Sequence, residues 1–282
     1  ESVAVPLIQC ASQFPDITFH VVGTEEATKR HLDNAPPNIT VHIVSEVVGM
    51  SDRITSAMKL LDRSSMGYCI KLVKDKTCSA MLSAGNTAAL MSLGCLLLKT
   101  KPGIRRPAIL SHIQFKDALT MFGDLGANIA CNADDMVANA YLAVQELGLK
   151  NARVALLNVG KEEAKGTPVV KEAAVKLQAS ELNYVGFVEG DDLLSDKADV
   201  IVFDGFTGNC ITKLLESMVS CFSKHIPMSE LPCFSSAALM AGLNGKIYKI
   251  HGKSKQLEIR KGIQQVVENL RHERVIVLED IC

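Results

Sequence analysis

A chain of 282 residues with 48% hydrophobic and 22% charged side chains can bury a sizeable core and is too apolar to stay disordered. Its formal net charge of -1 removes the electrostatic argument for a nucleic-acid partner, because a phosphate-tracking surface shows itself as clustered Lys and Arg. The nine cysteines are dispersed without a CxxC pair and the seven histidines lack metal-ligand spacing, so a reduced, cytoplasmic protein with no metal or cofactor is expected.

In chain order, the opening "ESVAVPLIQC" lacks the layout of a signal peptide. "ITFHVVG" (17–23) is read as a strand closed by Gly23, and "TEEATKRHL" as a helix with Thr24 as N-cap. "ITVHIV" is a second strand, helical segments follow around 54–61 and 67–74, and the strand "TCSAML" leads into a loop, "SAGNT". Thr87 to Leu98 is apolar nearly all round, which predicts a helix buried on most faces. Its apolar run, from Ala88, is well short of the roughly 20 residues that span a bilayer. "PAILS" and "ALTMFG" are short strands, and Met136, Val137, Ala140, Tyr141, Val144 and Leu147 define a helix stopped by Gly148.

The second half continues the alternation. "RVALLN", "NYVGFV" and "DVIVFD" are strands, and Pro168 to Gln178 is a helix with Pro in its first turn. Ile211, Leu214, Leu215, Met218, Val219 and Phe222 fall on one face and predict an amphipathic helix packed on a sheet. "KIYKI" reads as a late strand, and Ile259, Ile263, Val266 and Leu270 mark a final helix, after which "ERVIVLEDI" fits either helix or strand. Strands separated by helices predict a layered α/β protein with a largely parallel sheet.

In such folds ligands bind where strand ends lead into helix N-termini. Four strand ends carry glycine with an amide side chain: "SAGNT" (83–87), "DLGAN" (124–128), "NVGKEEAKG" (158–166) and "DGFTGN" (204–209). Glycine lets the backbone approach a ligand, and first-turn N–H groups favour an anion. Any one such loop is more often a turn or cap; four at equivalent strand ends favour a shared phosphate or oxyanion site. "GKEEAKGT" fails as a P-loop because Lys165 precedes Gly166 and two acids stand where phosphate would sit. There is no GxGxxG or GxSxG, and Cys131 and Cys210 lie near the loops without an adjacent histidine base.

"SAGNTAALM", "DLGAN", "LLNVGKEEAKG" and "ADVIVFDGFTGN" resemble, in order and spacing, the motifs of bacterial phosphate acyltransferases of phospholipid synthesis. The resemblance runs from about Phe14 to at least Gly252. It implies transfer of a fatty acyl group from acyl-[acyl carrier protein] to inorganic phosphate. It also implies a three-layer fold with helices on both faces of the sheet, similar to isocitrate and isopropylmalate dehydrogenases, and a homodimer with peripheral membrane contact. Residues 1–282 would then be one catalytic unit, with subdomains around a central cleft. Family members open with a strand ending in a Gly-Gly-Asp motif and this sequence begins after that point; the loop between Ile113 and Leu119 is short, and a helical hairpin expected between Phe222 and Ser235 is largely missing.

On this resemblance Ser83, Gly85, Asn86 and Thr87, with the amides of Gly208 and Asn209, hold phosphate or the oxyanion, and Asn128 and Asn158 orient the thioester. Arg106, Lys165 and Lys213 are candidate charge partners, with surface salt bridges as the alternative; Glu162 and Asp204 would position these groups, and His251 is either a structural histidine or the acid that protonates the departing thiolate. Lys246 to Lys255 is the candidate patch for the acidic carrier protein. The alternatives are a phosphotransacetylase-type enzyme using acyl-coenzyme A, or a non-catalytic lipid-synthesis scaffold that binds the carrier.

Overall fold

The computed structural model describes residues 3–32, 35–252, 254–270 and 275–279. The chain forms two compact units, Glu1–Lys101 with Ser236–Cys282, and Pro102–Ser235.

Unit 1 contains α1 (Ala4–Gln13), β1 (Thr18–Gly23), α2 (Glu25–Leu32), β2 (Ile39–Ile43), α3 (Ile54–Lys59), α4 (Ser65–Lys74), β3 (Ala80–Ser83) and α5 (Thr87–Leu98). The chain returns to it with β10 (Ala238–Ala241), β11 (Lys246–Lys249), α9 (Gln256–Leu270) and β12 (Val275–Glu279). The sheet order is β2-β1-β12-β3-β11-β10, parallel except for the β10–β11 pair. Side-chain alternation divides its strands between two cores. Phe19, Val21, Ala80, Leu82 and Tyr248 pack with α1 and α9, while Val22, Met81 and Ile247 pack with α4 and α5. Unit 1 is therefore three-layered, with helices on both faces.

Unit 2 contains β4 (Ala108–Phe115), β5 (Ala118–Gly123), α6 (Ala133–Leu147), β6 (Arg153–Leu157), α7 (Pro168–Gln178), β7 (Asn183–Val188), β8 (Val200–Val202), α8 (Gly205–Phe222) and β9 (Cys233–Phe234). Its order is β9-β4-β5-β8-β6-β7. The β5-β8-β6-β7 stretch is parallel, whereas β4 runs antiparallel to both β5 and β9.

Sequence patterning located α5 and α7 at their observed bounds and resolves differently elsewhere. The 113–119 segment is a tight antiparallel hairpin, with Phe115 opposite Ala118. "VIVLE" is a strand, β12. Between Phe222 and Ser235 the chain makes one 3-10 turn, Met228–Glu230, and β9. The expectation that one apolar face of α8 packs on the sheet needs correction. Ile211 and Leu215 pack against the core of Phe122, Ile201 and Phe203, but Leu214, Met218 and Phe222 are exposed. The helix buries only Gly205 and Gly208 fully, because its apolar stripe is wider than the surface it contacts. Among the described residues no helix is long and apolar enough to cross a membrane.

Candidate active site

In unit 1 the strand β3 ends at Ser83 and turns into α5 through Ala84, Gly85 and Asn86. Ser83 is buried, and its hydroxyl accepts the Gly85 N–H at 3.1 Å. Asn86 is the N-cap of α5: its side-chain oxygen accepts the Ala89 N–H at 3.1 Å, and its carbonyl accepts the Leu90 N–H at 2.9 Å. The same amide donates to the carbonyls of Met50 (3.0 Å) and Asp52 (3.1 Å), with Gly49 at 3.4 Å. Asn86 thus stitches the 49–52 turn to the loop. What remains at the helix start are the N–H groups of Thr87 and Ala88, which have no acceptor among the described residues. Thr87 is half-buried and Ala88 exposed, so both can be reached.

His251 belongs to the same end of this unit. β11 lies parallel to β3 with Lys249 opposite Ser83, and the Ile250 N–H donates to the Ser83 carbonyl at 3.0 Å. A methyl group on Gly252 would lie 3.3 Å from the Ala84 carbonyl and 2.9 Å from the Met50 methyl. The structure therefore brings together Ser83, Gly85, Asn86, Thr87 and the His251 turn. The Lys246–Lys255 segment is not a continuous basic face, since Lys246 and Lys249 are half-buried within β11 and already have partners. Lys253 lies outside the described residues.

In unit 2 the 124–128 loop closes on its own first residue. Asp124 is fully buried, and its carboxylate accepts N–H groups from Ile109 (3.0 Å), Gly126 (3.1 Å), Ala127 (2.9 Å) and Asn128 (2.7 Å). The Asn128 side chain donates to Asp124 at 2.9 Å and to the Pro107 carbonyl at 2.8 Å. Burial raises the Asp124 carboxyl above its ordinary value, opposed by these hydrogen bonds. The loop is an anion cradle whose anion is supplied by the chain, and sequence reasoning missed that use of Asp124. Its signal was an acid at the head of a run of small residues, whose amides can fold back on it.

The 204–209 loop packs against this cradle. Asp204 caps α8 by accepting the Thr207 N–H at 2.7 Å, and the Gly205 N–H donates to the Asn128 carbonyl at 2.8 Å. The Gly208 amide, expected to bind an oxyanion, is committed to the Asp204 carbonyl at 2.9 Å, as normal for a residue one turn into a helix. Glycine is needed at position 208 for a different reason: a methyl there would stand 2.0 Å from the Asp124 carbonyl. Asn209 reaches back over Gly126, its amide 3.4 Å from the Leu125 carbonyl. Gly126 has φ +125°, and a methyl on it would lie 3.0 Å from that amide.

The 158–166 loop is likewise braced internally. The Asn158 amide donates to the Lys165 carbonyl at 3.2 Å, and Lys165 pairs with Glu162 at 2.8 Å, an exposed ion pair that raises the lysine and lowers the carboxyl. Arg106 and Lys213 are exposed and form no ion pair among the described residues. Cys131 is unsuited to nucleophilic work: burial, with Asp124 and Asp135 nearby, pushes its thiol up to about 12. Glu189, Asp191 and Asp192 form the one acidic group of metal-ligating geometry among the described residues, and Lys161 (3.0 Å) and Lys197 both pair with Asp192 there.

A parallel α/β framework whose strand ends lead into side-chain-capped helix starts is the setting in which α/β proteins bind their ligands. The sequence model described as fatty acid synthesis protein matches residues 2–236, and the chain belongs to that family. It is 35% identical to the phosphate acyltransferase of Pseudomonas putida, over 99% of this chain and 94% of that one. It is therefore an acyltransferase. Among solved structures, a phosphotransacetylase from Streptococcus pyogenes aligns with a TM-score of 0.64 at 18% identity, covering 93% of this chain and 91% of that one. A 4-hydroxythreonine-4-phosphate dehydrogenase from Klebsiella pneumoniae aligns at 0.54 and 12% identity, over 93% and 85%. At those identities the likeness is one of fold.

Proposed function

We propose that the chain transfers a fatty acyl group from acyl-[acyl carrier protein] to inorganic phosphate, yielding acyl phosphate for phospholipid synthesis, on a fold of the isocitrate and isopropylmalate dehydrogenase type. The observation that carries this reading is the start of α5, where the N–H groups of Thr87 and Ala88 stay unspent while Asn86 is tied to its cap and to the 49–52 turn. Two N–H groups at the positive end of a helix suit a phosphate dianion.

Phosphate is itself the nucleophile. One of its oxygens attacks the thioester carbonyl carbon, and the tetrahedral oxyanion collapses with cleavage of the carbon–sulfur bond. The thiolate then takes a proton from His251, leaving acyl phosphate and the free carrier thiol. No enzyme thiolate enters, in keeping with the raised Cys131 thiol. Ser83, Gly85 and Asn86 shape the cradle in unit 1; in unit 2 Lys165 pairs with Glu162, Asp204 caps α8, and Arg106 and Lys213 offer exposed positive charge. Asn128, Asn158, Gly208 and Asn209 hold the unit 2 loops in shape. The outward residues of α8, Phe206, Leu214, Met218 and Phe222, are the surface offered for the dimer or membrane contact implied by the family.

The test is phosphate-dependent release of free thiol from acyl-[acyl carrier protein], with acyl-coenzyme A run in parallel. Release from the carrier substrate supports the reading. Release from the coenzyme A ester alone replaces the donor, and release from neither leaves a carrier-binding scaffold.

A further inference from the structure

Unit 1 exposes three large apolar side chains beside its phosphate loop. The short helix α3 buries only Ala57, leaving Ile54 41% and Met58 46% exposed one turn apart, and Met50 is 59% exposed on the preceding turn. Single exposed apolar residues need no explanation, but three at four-residue intervals, the last two one turn apart on α3, form an apolar strip of the kind that marks a binding surface. This strip is anchored to the loop at 83–87. Asn86 holds the carbonyls of Met50 and Asp52, and the Met50 side chain lies against Gly252, which in turn packs on the Ala84 carbonyl. Two of the three side chains are thioethers on unbranched stems, which adapt to flexible ligands better than branched residues do.

Taking the acyl-transfer reading as given, we infer that Met50, Ile54 and Met58 receive the hydrocarbon chain of the acyl donor. The thioester carbonyl then sits near Thr87 and the first methylenes cross Met50. The rest of the chain follows α3 over Ile54 and Met58. Continuity with the phosphate loop singles out this occupant, because a chain attached to the reacting carbonyl must leave along a surface adjoining it. The strip therefore sets chain-length preference, and chemistry at the carbonyl is left to the loop.

The experiment compares the parent chain with Met50→Ser/Met58→Ser and, separately, Ile54→Ser. It measures kcat/KM for thiol release from hexadecanoyl and butanoyl acyl carrier protein, and binding of the fluorescent fatty acid cis-parinarate. The ratio of long-chain to short-chain kcat/KM should fall about tenfold in the double variant, since each methylene losing apolar contact weakens binding. Parinarate binding should weaken in parallel, with the melting temperature unchanged. A ratio and a parinarate affinity both within about twofold of the parent would overturn the inference. So would an unchanged ratio accompanied by lost sedimentation with phosphatidylglycerol vesicles, or by a dimer turned monomer, either of which assigns the strip to another occupant. If the parent releases no thiol at all, the acyl-transfer reading fails, and the parinarate measurement still decides whether the strip binds an acyl chain.

Discussion

Asn86→Ala separates the structural work of this residue from any contact with phosphate. The substitution removes the cap acceptor for Ala89 N–H, worth about 1 kcal/mol. It also removes donors to the Met50 and Asp52 carbonyls at 3.0 and 3.1 Å, worth about 1 kcal/mol each when buried. Met50 is exposed, so water replaces part of that loss, and the total falls to about 2 kcal/mol. For a chain of this size that lowers the melting temperature by about 4–8 °C. Asn86→Ser keeps a cap acceptor and loses only the amide donors, so it should fall by roughly half as much. Thermal denaturation of both variants, with thiol release measured well below the transition, provides the assay. A melting temperature for Asn86→Ala within about 1 °C of the parent, or identical values for the two variants, would refute the assignment of Asn86 as cap and stitch.

Further outcomes are expected elsewhere. Gly208→Ala forces a methyl to within 2.0 Å of the Asp124 carbonyl and should cost upward of about 2 kcal/mol in chemical denaturation. Lys165→Met breaks only an exposed ion pair, so the urea midpoint should show stability held within about 0.5 kcal/mol; a larger loss would mean that the pair braces the 158–166 loop. In unit 1, His20 and His42 lie 2.8 Å apart, nitrogen to nitrogen, with the Tyr68 hydroxyl 3.3 Å from the second ring. Burial lowers both histidines, and the proximity of His42 lowers His20 further. Because the unfolded chain takes up these protons first, stability should rise with pH through the interval from the lowered folded values to the ordinary 6.5, and be lost as pH falls back through it. Urea midpoints across that interval should show a slope that His20→Asn/His42→Asn flattens.

The alternation of strands and helices was legible because β-branched runs and 3.6-residue periodicity are local signals, and α5 and α7 fell at their observed bounds for the same reason. The first helix was not read from the sequence, although a proline in a first turn, as Pro6 is, lacks only an N–H that has no partner there anyway. β9, β10 and the antiparallel setting of β4 were beyond reach, since two- to four-residue strands carry too little pattern and strand direction is decided by distant pairing. The choice between helix and strand for "VIVLE" turned on being held between β1 and β3, a fact external to the segment. At the site, motif chemistry picked out loops at strand ends but not how their groups are spent. The amides around Asp124 are filled from within, and the Gly208 N–H serves its own helix, because an internal carboxylate or carbonyl competes for the same donors as a ligand.

The position of β12 has a consequence for how the protein is made. β1 and β3 each pair with β12 rather than with one another, so the two early strands have no shared partner until β12 itself has been synthesised. Until then two parallel edges stand open in the nascent polypeptide, and the later unit can close first. A product terminated shortly before Val275 would carry every loop residue discussed above yet lack the strand that joins β1 to β3, leaving the unit 1 sheet in two pieces with open edges.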